Sequence, residues 1–363
     1  LVFLPGMAEI RQVAGILTDT LPPNVRVYCL HGSLPAVQQD AAIAPPQAGQ
    51  RKIVLATAIA ETSLTIEGIR VVVDAGMERS ARFDPNSGMS RLVTSSVTQA
   101  SAEQRAGRAG RLESGICYRL WSEAEHKRLT KDRLPEIEQA DLAPTVLELA
   151  QWGVLNPTGL QWLDAPPIPH WNQAKELLSQ LGALDPEGRI TRHGKAMLRP
   201  GLHPRLAHLL VTGEQRGLGQ TAAELAALLS DRDPMPPGSG IDMASRIEAL
   251  RQLHDTRFRT ARRLARKLAQ SSGQQQTHPG AGRSGQQPES HPGQIGELLA
   301  LAFPDRVAKA RGERGRFLLS NGRGAFIQRE DPLASADWLV AAELDGQGRE
   351  ARIHLGARLG REE

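Results

Sequence analysis

The most informative stretch of this chain is Gln104-Arg105-Ala106-Gly107-Arg108-Ala109-Gly110-Arg111. On an α-helix, Gln104, Arg108 and Arg111 stand at positions i, i+4 and i+7 and therefore share one face. Arginine stays charged and donates paired hydrogen bonds, so two guanidiniums beside a carboxamide suit the oxygens of a phosphate in transfer. The alanines and glycines between them leave room for close approach. The alternative interpretation of the octet is a solvated basic helix.

The composition is that of a globular chain with a small basic excess. Its 363 residues include 44 Lys and Arg against 40 Asp and Glu, giving a formal net charge of +4, and 40% of them are hydrophobic. This length predicts two to four compact units, and the excess is consistent with a nucleic-acid partner. The sequence shows no signal peptide and no apolar run of membrane-spanning length, which predicts a cytoplasmic protein without a membrane partner.

The only two cysteines, Cys29 and Cys117, are 88 positions apart in strand-like segments. They show neither the spacing of metal ligands nor a disulfide framework. Both are expected to be reduced residues of the core.

The first 120 residues predict an open parallel sheet of the α/β class. Strands are expected at residues 1–4, 25–30, 52–56 and 70–73, with a helix over residues 7–21 and another beginning at Pro35. Short apolar runs such as Val71-Val72-Val73 are typical of parallel strands that are covered on both faces. Ligand sites of such sheets lie at the carboxyl ends of the strands, where Gly6, Gly32, Thr57 and Gly76 fall.

Residues 77–97 depart from this alternation. Two extended runs flank Asp84-Pro85-Asn86-Ser87-Gly88, whose residue types favour a turn. The segment therefore predicts a β-hairpin.

Four stretches resemble, in order, the motifs of DEAH/RHA helicases of superfamily 2, and of their bacterial HrpB-type group in particular. The octet is similar to motif VI, residues 1–10 to motif IV, Leu30-His31-Gly32-Ser33-Leu34-Pro35 to the turn that follows motif IV, and residues 57–68 to motif V. The resemblance implies that residues 1–121 are the second of two RecA-like domains. It also implies that ATP is hydrolysed between these domains to drive translocation along single-stranded RNA, with DNA as a possible alternative.

The resemblance assigns roles to residues of the motifs. Gln104, Arg108 and Arg111 would reach the γ-phosphate of ATP as the catalytic group, and Glu67 would contact the ribose. Gly6, Ser33 and Thr57 would hold the phosphates of the nucleic acid. In this family a hairpin between motifs V and VI projects toward the nucleic-acid channel, which makes Arg79, Arg82 and Arg91 candidates for backbone contacts. For each of these three arginines, solvated surface charge is the alternative.

Two positions depart from the family pattern. Ala58 stands where motif V commonly has Asn, so the coupling of RNA and ATP could be altered. The run at residues 41–46 lacks the aromatic residue that stacks on adenine in many relatives, and Ile43 offers only apolar contact.

The first RecA-like domain, with its phosphate loop and acidic box, is not found in this sequence. The stretch Gly188–Ala196 has five residues between its glycines where the loop needs four, and Ala196 stands where Ser or Thr should hold Mg²⁺. Residues 122–126 are acidic but follow motif VI, and an ordinary helix start is expected there. The chain is therefore interpreted as a fragment that is inactive alone, with the Mg²⁺ ligands in the missing domain.

The remaining sequence predicts helices and then strands. A helix over residues 142–152 capped by Asp141, another over residues 174–181, and a turn and strand at residues 184–191 predict a winged-helix unit at 122–198. Helical runs at residues 203–213, 221–229 and 243–253 predict a helical bundle at 199–270, which has the place of the family's ratchet region.

The last helix of this bundle carries Arg259, Arg262, Arg263 and Arg266 opposite an apolar face of Ala261, Leu264, Ala265 and Leu268. A solvated face and a contact with RNA phosphates are both open for these arginines.

Residues 271–293 are nearly all Gly, Gln, Ser, His and Pro, which predicts a flexible linker in which His278 and His291 do not bind metal. A helix over residues 295–302 and strands over 317–328, 338–344 and 351–355 then predict a partial OB-like β-barrel at 294–363. The native carboxyl end is expected to be missing. A noncatalytic nucleic-acid-binding module, in which the RecA-like domain serves only as architecture, is the alternative function for the whole chain.

Overall fold

The computed structural model describes residues 1–62, 65–84, 89–111, 114–231, 233–236, 238–253, 255–273, 292–345 and 350–360. The chain divides into two compact units. Unit 1 comprises residues 1–82 and 92–139, and unit 2 comprises residues 83–91 and 140–363. Since unit 2 is a single compact body by this division, the predicted boundaries between winged-helix, bundle and barrel regions stay predictions.

Unit 1 is built on a five-stranded parallel sheet with the strand order β2-β3-β1-β4-β7. The strands are β1 (Val2–Phe3), β2 (Val25–Leu30), β3 (Arg51–Ala56), β4 (Val71–Asp74) and β7 (Ile116–Arg119). Phe3, Val54 and Val72 are fully buried, as expected for parallel strands covered on both faces. The predicted parallel sheet is confirmed.

Three helices of unit 1 lie between these strands, namely α1 (Met7–Thr18), α2 (Ala36–Ile43) and α3 (Gln99–Ala106), and α4 (Glu123–Arg128) follows the last strand. Thr98 caps α3 by accepting the Ser101 N–H, and Ser122 forms a capping box with Glu125 at the start of α4. The acidic stretch at residues 122–126 is thus an ordinary helix start, as expected.

The predicted hairpin is present as a two-stranded sheet of β5 (Met77–Asp84) and β6 (Met89–Ser96). Its turn at residues 85–88 lies outside the described residues.

Unit 2 begins with helices and ends with a barrel. Its helices are α5 (Ala143–Gln151), α6 (Ile168–Gln180), α7 (Arg192–Leu198), α8 (Pro204–Gln215), α9 (Gly219–Leu229), α10 (Met243–Gln252), α11 (Arg259–Gly273) and α12 (Pro292–Ala302). An antiparallel bridge joins Leu184 and Ile190 where the turn and strand are predicted. The eight central residues of α9 are buried, so this helix lies at the centre of the bundle.

Five strands close the barrel: β8 (Val307–Ala310), β9 (Arg316–Leu319), β10 (Gly324–Phe326), β11 (Trp338–Leu344) and β12 (Glu350–Arg358). The expectation of a partial barrel is wrong, because the five strands form a closed barrel. Two details of the prediction are also wrong, because the structure adds β8 and divides the run at residues 317–328 into β9 and β10. Gly322, with a φ of 81°, forms the turn between them.

The predicted linker at 271–293 lies mostly outside the described residues, including His278 and His291. Of its ends, residues 271–273 belong to α11, and residues 292 and 293 belong to α12. Among the described residues, no helix is long and apolar enough to cross a bilayer.

Candidate nucleotide and nucleic-acid site

The octet is not one continuous helix. Helix α3 ends at Ala106, and the chain continues as turns in which the N–H of Arg108 binds the carbonyl of Arg105 and the N–H of Ala109 binds that of Ala106. Gly107 and Gly110 explain the early end, since glycine is among the poorest helix formers. The prediction that Gln104, Arg108 and Arg111 share one helical face is therefore wrong beyond residue 106.

The three predicted phosphate ligands have different surroundings. Gln104 and Arg111 are exposed, and Nη1 of Arg111 is 3.4 Å from Oγ1 of Thr65. Arg108 is buried, and its Nε donates to the main-chain oxygen of Glu61 over 2.8 Å. Burial lowers the pKa of Arg108, and the charge of Arg111 lowers it further. Two guanidiniums are thus held near each other at the end of α3.

The second residue of the octet, Arg105, has no role predicted from the sequence, yet it is the most densely bonded side chain of the site. It is 1% exposed. Its Nε lies 3.1 Å from Oε2 of Glu61 and its Nη1 lies 2.9 Å from Oδ1 of Asp74, while Nη2 is 3.5 Å from Oε2 of Glu78. Its guanidinium also lies 4.9 Å from the ring centre of Phe3. Arg105 therefore joins motif VI to the end of β4, the base of the hairpin and motif V.

A second arginine completes this buried network. Nη2 of Arg133 is 2.8 Å from Oε2 of Glu61 and 2.6 Å from Oε2 of Glu78, and its side chain is 43% exposed. Burial opposes its charge, but the bonds from Glu78 and Glu61 outweigh burial and raise the pKa of Arg133. Three carboxylates, from Glu61, Asp74 and Glu78, are thus held by two guanidiniums.

Glu61 binds two arginines of the octet with different atoms. Its side chain accepts from Arg105 and from the hydroxyl of Ser101, at 3.1 Å each, while its main-chain oxygen accepts from Arg108. The loop after β3 is therefore attached to motif VI at several points, and a shift of one segment has to move the other.

Three predicted nucleic-acid contacts lie at the carboxyl edge of the sheet, as expected. Gly6 follows β1 and precedes α1, and Thr57 follows β3 and precedes a 3₁₀ turn at Ala58–Ala60. Ser33 follows β2, where its hydroxyl is 2.7 Å from Nδ1 of His31 and its N–H donates to the same nitrogen.

The structure brings Arg79 against Gly6. A Cβ at position 6 would collide with the guanidinium of Arg79, so only glycine fits there without displacing that side chain. Arg79 is also bonded to Glu9 at 3.1 Å and to the hydroxyl of Thr94 at 3.0 Å. It therefore ties the base of the hairpin to motif IV.

The remaining predicted site residues are less constrained. Arg82 and Glu67 are exposed. The side chain of Arg91 lies outside the described residues. Within the described part of the chain, no group of three or more His, Cys, Asp or Glu side chains is placed to hold a metal ion. Cys29 and Cys117 are free and half-buried, and burial raises the pKa of both thiols.

Unit 2 contains a cleft of about 1160 Å³ between its helices and its barrel. None of the predicted site residues lines it. Two of its arginines are already paired, Arg205 with Asp305 and Arg246 with Asp233. The size of this cleft alone does not identify it as a functional site.

Comparison with known proteins agrees with this geometry. Residues 1–113 match the family model described as the helicase conserved C-terminal domain. The chain is 42% identical over 345 residues to the ATP-dependent RNA helicase HrpB of Escherichia coli (strain K12). The matched region covers 95% of this chain and 40% of that protein. It is also 36% identical over 238 residues to the probable ATP-dependent RNA helicase DHR2 of Saccharomyces cerevisiae, covering 63% of this chain and 32% of that protein.

Two crystal structures of E. coli HrpB, described as a DExH-box NTPase and as a DEAH/RHA helicase, are similar to this chain. Their TM-scores are 0.84 and 0.86 at 39% identity, over 99% of this chain and 42% and 43% of theirs. The resemblance to DEAH/RHA helicases of the HrpB type is confirmed. The chain spans about 40% of the length of these HrpB relatives.

Proposed function

We propose that residues 1–363 supply the C-terminal part of the motor of a cytoplasmic ATP-dependent RNA helicase, beginning at the second RecA-like domain. The names of the relatives support this class, because HrpB and DHR2 are described as ATP-dependent RNA helicases. Single-stranded RNA is the proposed substrate.

The bond between Arg108 and the main chain of Glu61 is the observation that carries the proposal. It holds the octet against motif V, with Arg111 and Gln104 exposed beside it. An exposed guanidinium next to a second one that is buried and oriented can stabilise charge on a transferring phosphoryl group. A scaffold would not need two arginines held in this way.

These residues suit the γ-phosphate of ATP. Gln104, Arg108 and Arg111 would donate to its oxygens, with the bond from Nε of Arg108 to Glu61 fixing that guanidinium, and Glu67 would contact the ribose. ATP would supply the free energy for translocation. The ligands of Mg²⁺ are proposed to lie in the part of the relatives that this chain does not match.

The carboxyl edge of the sheet is the proposed nucleic-acid contact. Gly6, Ser33 and Thr57 follow neighbouring strands, and the main-chain N–H groups and hydroxyls of this edge would bind phosphates, those of Ser33 in exchange for their bonds to His31. Contacts of this kind carry little sequence information, which suits a translocating enzyme. Arg79 and Arg82 would add positive charge near the base of the hairpin.

ATP hydrolysis by the full-length gene product, with and without single-stranded RNA, tests the proposal. We expect Arg111→Ala to lower RNA-stimulated turnover by about a thousandfold, which is the lower end of the effect of an arginine finger. Arg26→Ala removes an exposed arginine of the same unit and should leave turnover unchanged. Arg108→Ala should lower turnover equally, with an unfolding curve recorded to separate misfolding from lost chemistry.

The same assay distinguishes the alternatives. Turnover that survives in Arg111→Ala would refute its assignment to the γ-phosphate. Absence of turnover in the wild-type protein would favour a noncatalytic binding module. Stimulation by single-stranded DNA as strong as that by RNA would favour a DNA-directed motor.

A further inference from the structure

Helix α11 is the most one-sidedly charged element of the chain. Between residues 259 and 288 the sequence contains no Asp or Glu, while six basic residues fall there: Arg259, Arg262, Arg263, Arg266, Lys267 and Arg283. Surface charges of opposite sign are usually interspersed. Such a segment attracts a polyanion.

The structure separates the four arginines of α11 into two kinds. Arg262 is half-buried, and its Nε donates to the carbonyl of Leu250 over 2.7 Å while its guanidinium lies 5.8 Å from the ring centre of Phe258. It holds the preceding loop. Arg259, Arg263 and Arg266 are exposed. These three, at i, i+4 and i+7, form what we call the α11 basic face.

The α11 basic face differs from other exposed arginines of unit 2. Arg189, Arg216 and Arg329 are each paired with a carboxylate. The guanidiniums of the three arginines of the α11 basic face form no ion pair or hydrogen bond with any of the residues that the structure describes. Their charge is therefore not neutralised by these neighbours, and an external anion would not have to displace an internal partner.

We propose that the α11 basic face binds the phosphate backbone of RNA, as a contact in unit 2 additional to the motif residues of unit 1. Seven positions of helix rise about 10 Å, which is the axial rise of about three nucleotides of one strand at about 3.4 Å each. Three guanidiniums spaced along this length suit phosphates within a run of four successive nucleotides. The choice of RNA as the anion rests on the proposed function, but the presence of an anion contact does not.

The opposite face of α11 argues against a membrane as the occupant. An amphipathic helix binds a bilayer by inserting its apolar face. In α11 that face is already used, because Ala261, Ala265 and Leu268 are buried in unit 2. Only the charged face is available, which suits a soluble polyanion bound by charge alone.

Salt-dependent RNA binding by residues 1–363 tests the proposal. Arg259→Gln, Arg263→Gln and Arg266→Gln are combined in one variant, and Arg189→Gln, Arg216→Gln and Arg329→Gln in a control that loses the same net charge. Fluorescence anisotropy with a labelled single-stranded RNA gives the affinity between 0.05 and about 0.5 M salt. Thermal unfolding verifies that both variants are folded.

Three lost phosphate contacts should lower the slope of log affinity against log salt by about 2, since each contributes about 0.7 on a single strand. The affinity should therefore fall by about 100-fold at 0.1 M salt, while the control stays within about threefold of wild type. Equal slopes in the wild type and the α11 variant, or equal losses in both variants, would overturn the proposal.

Two further measurements separate this proposal from a membrane contact and from the proposed motor function. Sedimentation with phosphatidylserine vesicles that captures the wild type but not the α11 variant would assign the face to a membrane and overturn the RNA contact. ATP hydrolysis by the full-length gene product without RNA should be unchanged in the α11 variant. If the α11 variant loses RNA affinity but Arg111→Ala keeps the wild-type ATP turnover, the RNA contact is supported. The assignment of Arg111 to the motor is then refuted.

Discussion

The octet at residues 104–111 and helix α11 carry arginines at nearly the same spacing, but the structure uses them in opposite ways. In the octet, Arg105 is enclosed by three carboxylates and Arg108 is bonded to a main-chain oxygen. In α11, Arg259, Arg263 and Arg266 point away from the core toward solvent. Spacing along the sequence therefore does not decide the role of an arginine, which depends on the partners that the fold places around its side chain.

The largest effect is expected at the most buried arginine. Arg105→Ala should lower the free energy of unfolding by about 3–5 kcal/mol, because it leaves the buried carboxylates of Glu61 and Asp74 without their main partner. Urea unfolding of residues 1–363 measures this, with Arg26→Ala as the exposed control. A loss below about 1 kcal/mol would break the comparison, since Arg105 would then behave like a surface residue.

The half-buried His208 should show the influence of burial as a pH dependence of the free energy of unfolding. Burial, and then the charges of His193 and Arg216, lower the pKa of His208 to about 4 from its ordinary value of 6.5. The unfolded chain takes up this proton near pH 6.5 and the folded chain only near pH 4. The stability contributed by the neutral ring is therefore complete above pH 6.5 and is lost as the pH falls toward 4.

At pH 5 this loss should amount to about 2 kcal/mol relative to pH 7.5. Urea unfolding at both pH values measures it, and His208→Gln should show a correspondingly smaller difference between them. The exposed Arg26 provides a control, because Arg26→Gln should keep the wild-type difference. An equal pH dependence in wild type and His208→Gln would show that other groups are responsible.

Arg133 tests an intermediate case. It shares Glu61 and Glu78 with Arg105 but is 43% exposed. Arg133→Ala should lower the free energy of unfolding by about 1 kcal/mol, since water and Arg105 can still solvate the two carboxylates. Arg133→Lys should restore part of that loss in the same urea experiment. A loss as large as that of Arg105→Ala would mean that the solvent exposure of Arg133 does not reduce its contribution to the free energy of unfolding.

The smallest effect is expected on α11. Arg263→Ala should change the free energy of unfolding by less than about 0.5 kcal/mol, because the side chain makes no contact that folding requires. The same change at Arg262 should cost more, since that guanidinium holds the carbonyl of Leu250. Equal losses at the two positions would contradict the division of the four arginines.

Much of the fold follows from local sequence patterns. The parallel sheet and the hairpin were predictable because apolar runs and the turn at residues 84–88 are signals carried by a few adjacent residues. The end of α3 at Ala106 was missed because three polar residues at helical spacing outweighed Gly107 and Gly110. The expectation of one strand over 317–328 overlooks Asn321-Gly322, a typical hairpin turn within that run.

The candidate site was predictable only for residues that belong to a recognisable sequence motif. Gln104, Arg108 and Arg111 stand out by spacing, and the structure holds the two arginines near each other. Arg105 and Arg133 gave no such signal, because their partners Glu61, Asp74 and Glu78 are distant in sequence. Which carboxylate meets which guanidinium is decided by the packing of strands and helices, and a single sequence does not contain that information in a local pattern.

The closed barrel has a consequence for biosynthesis. Strand β12 pairs with both β10 and β11, so the barrel cannot close until the ribosome has added Arg358, whereas the sheet of unit 1 has all its strands once Arg119 is made. At about 5–20 residues per second, roughly 240 residues separate these events by about 12–48 s. Nascent chains arrested just before Glu350 should therefore resist protease in unit 1 while the barrel region is still cleaved.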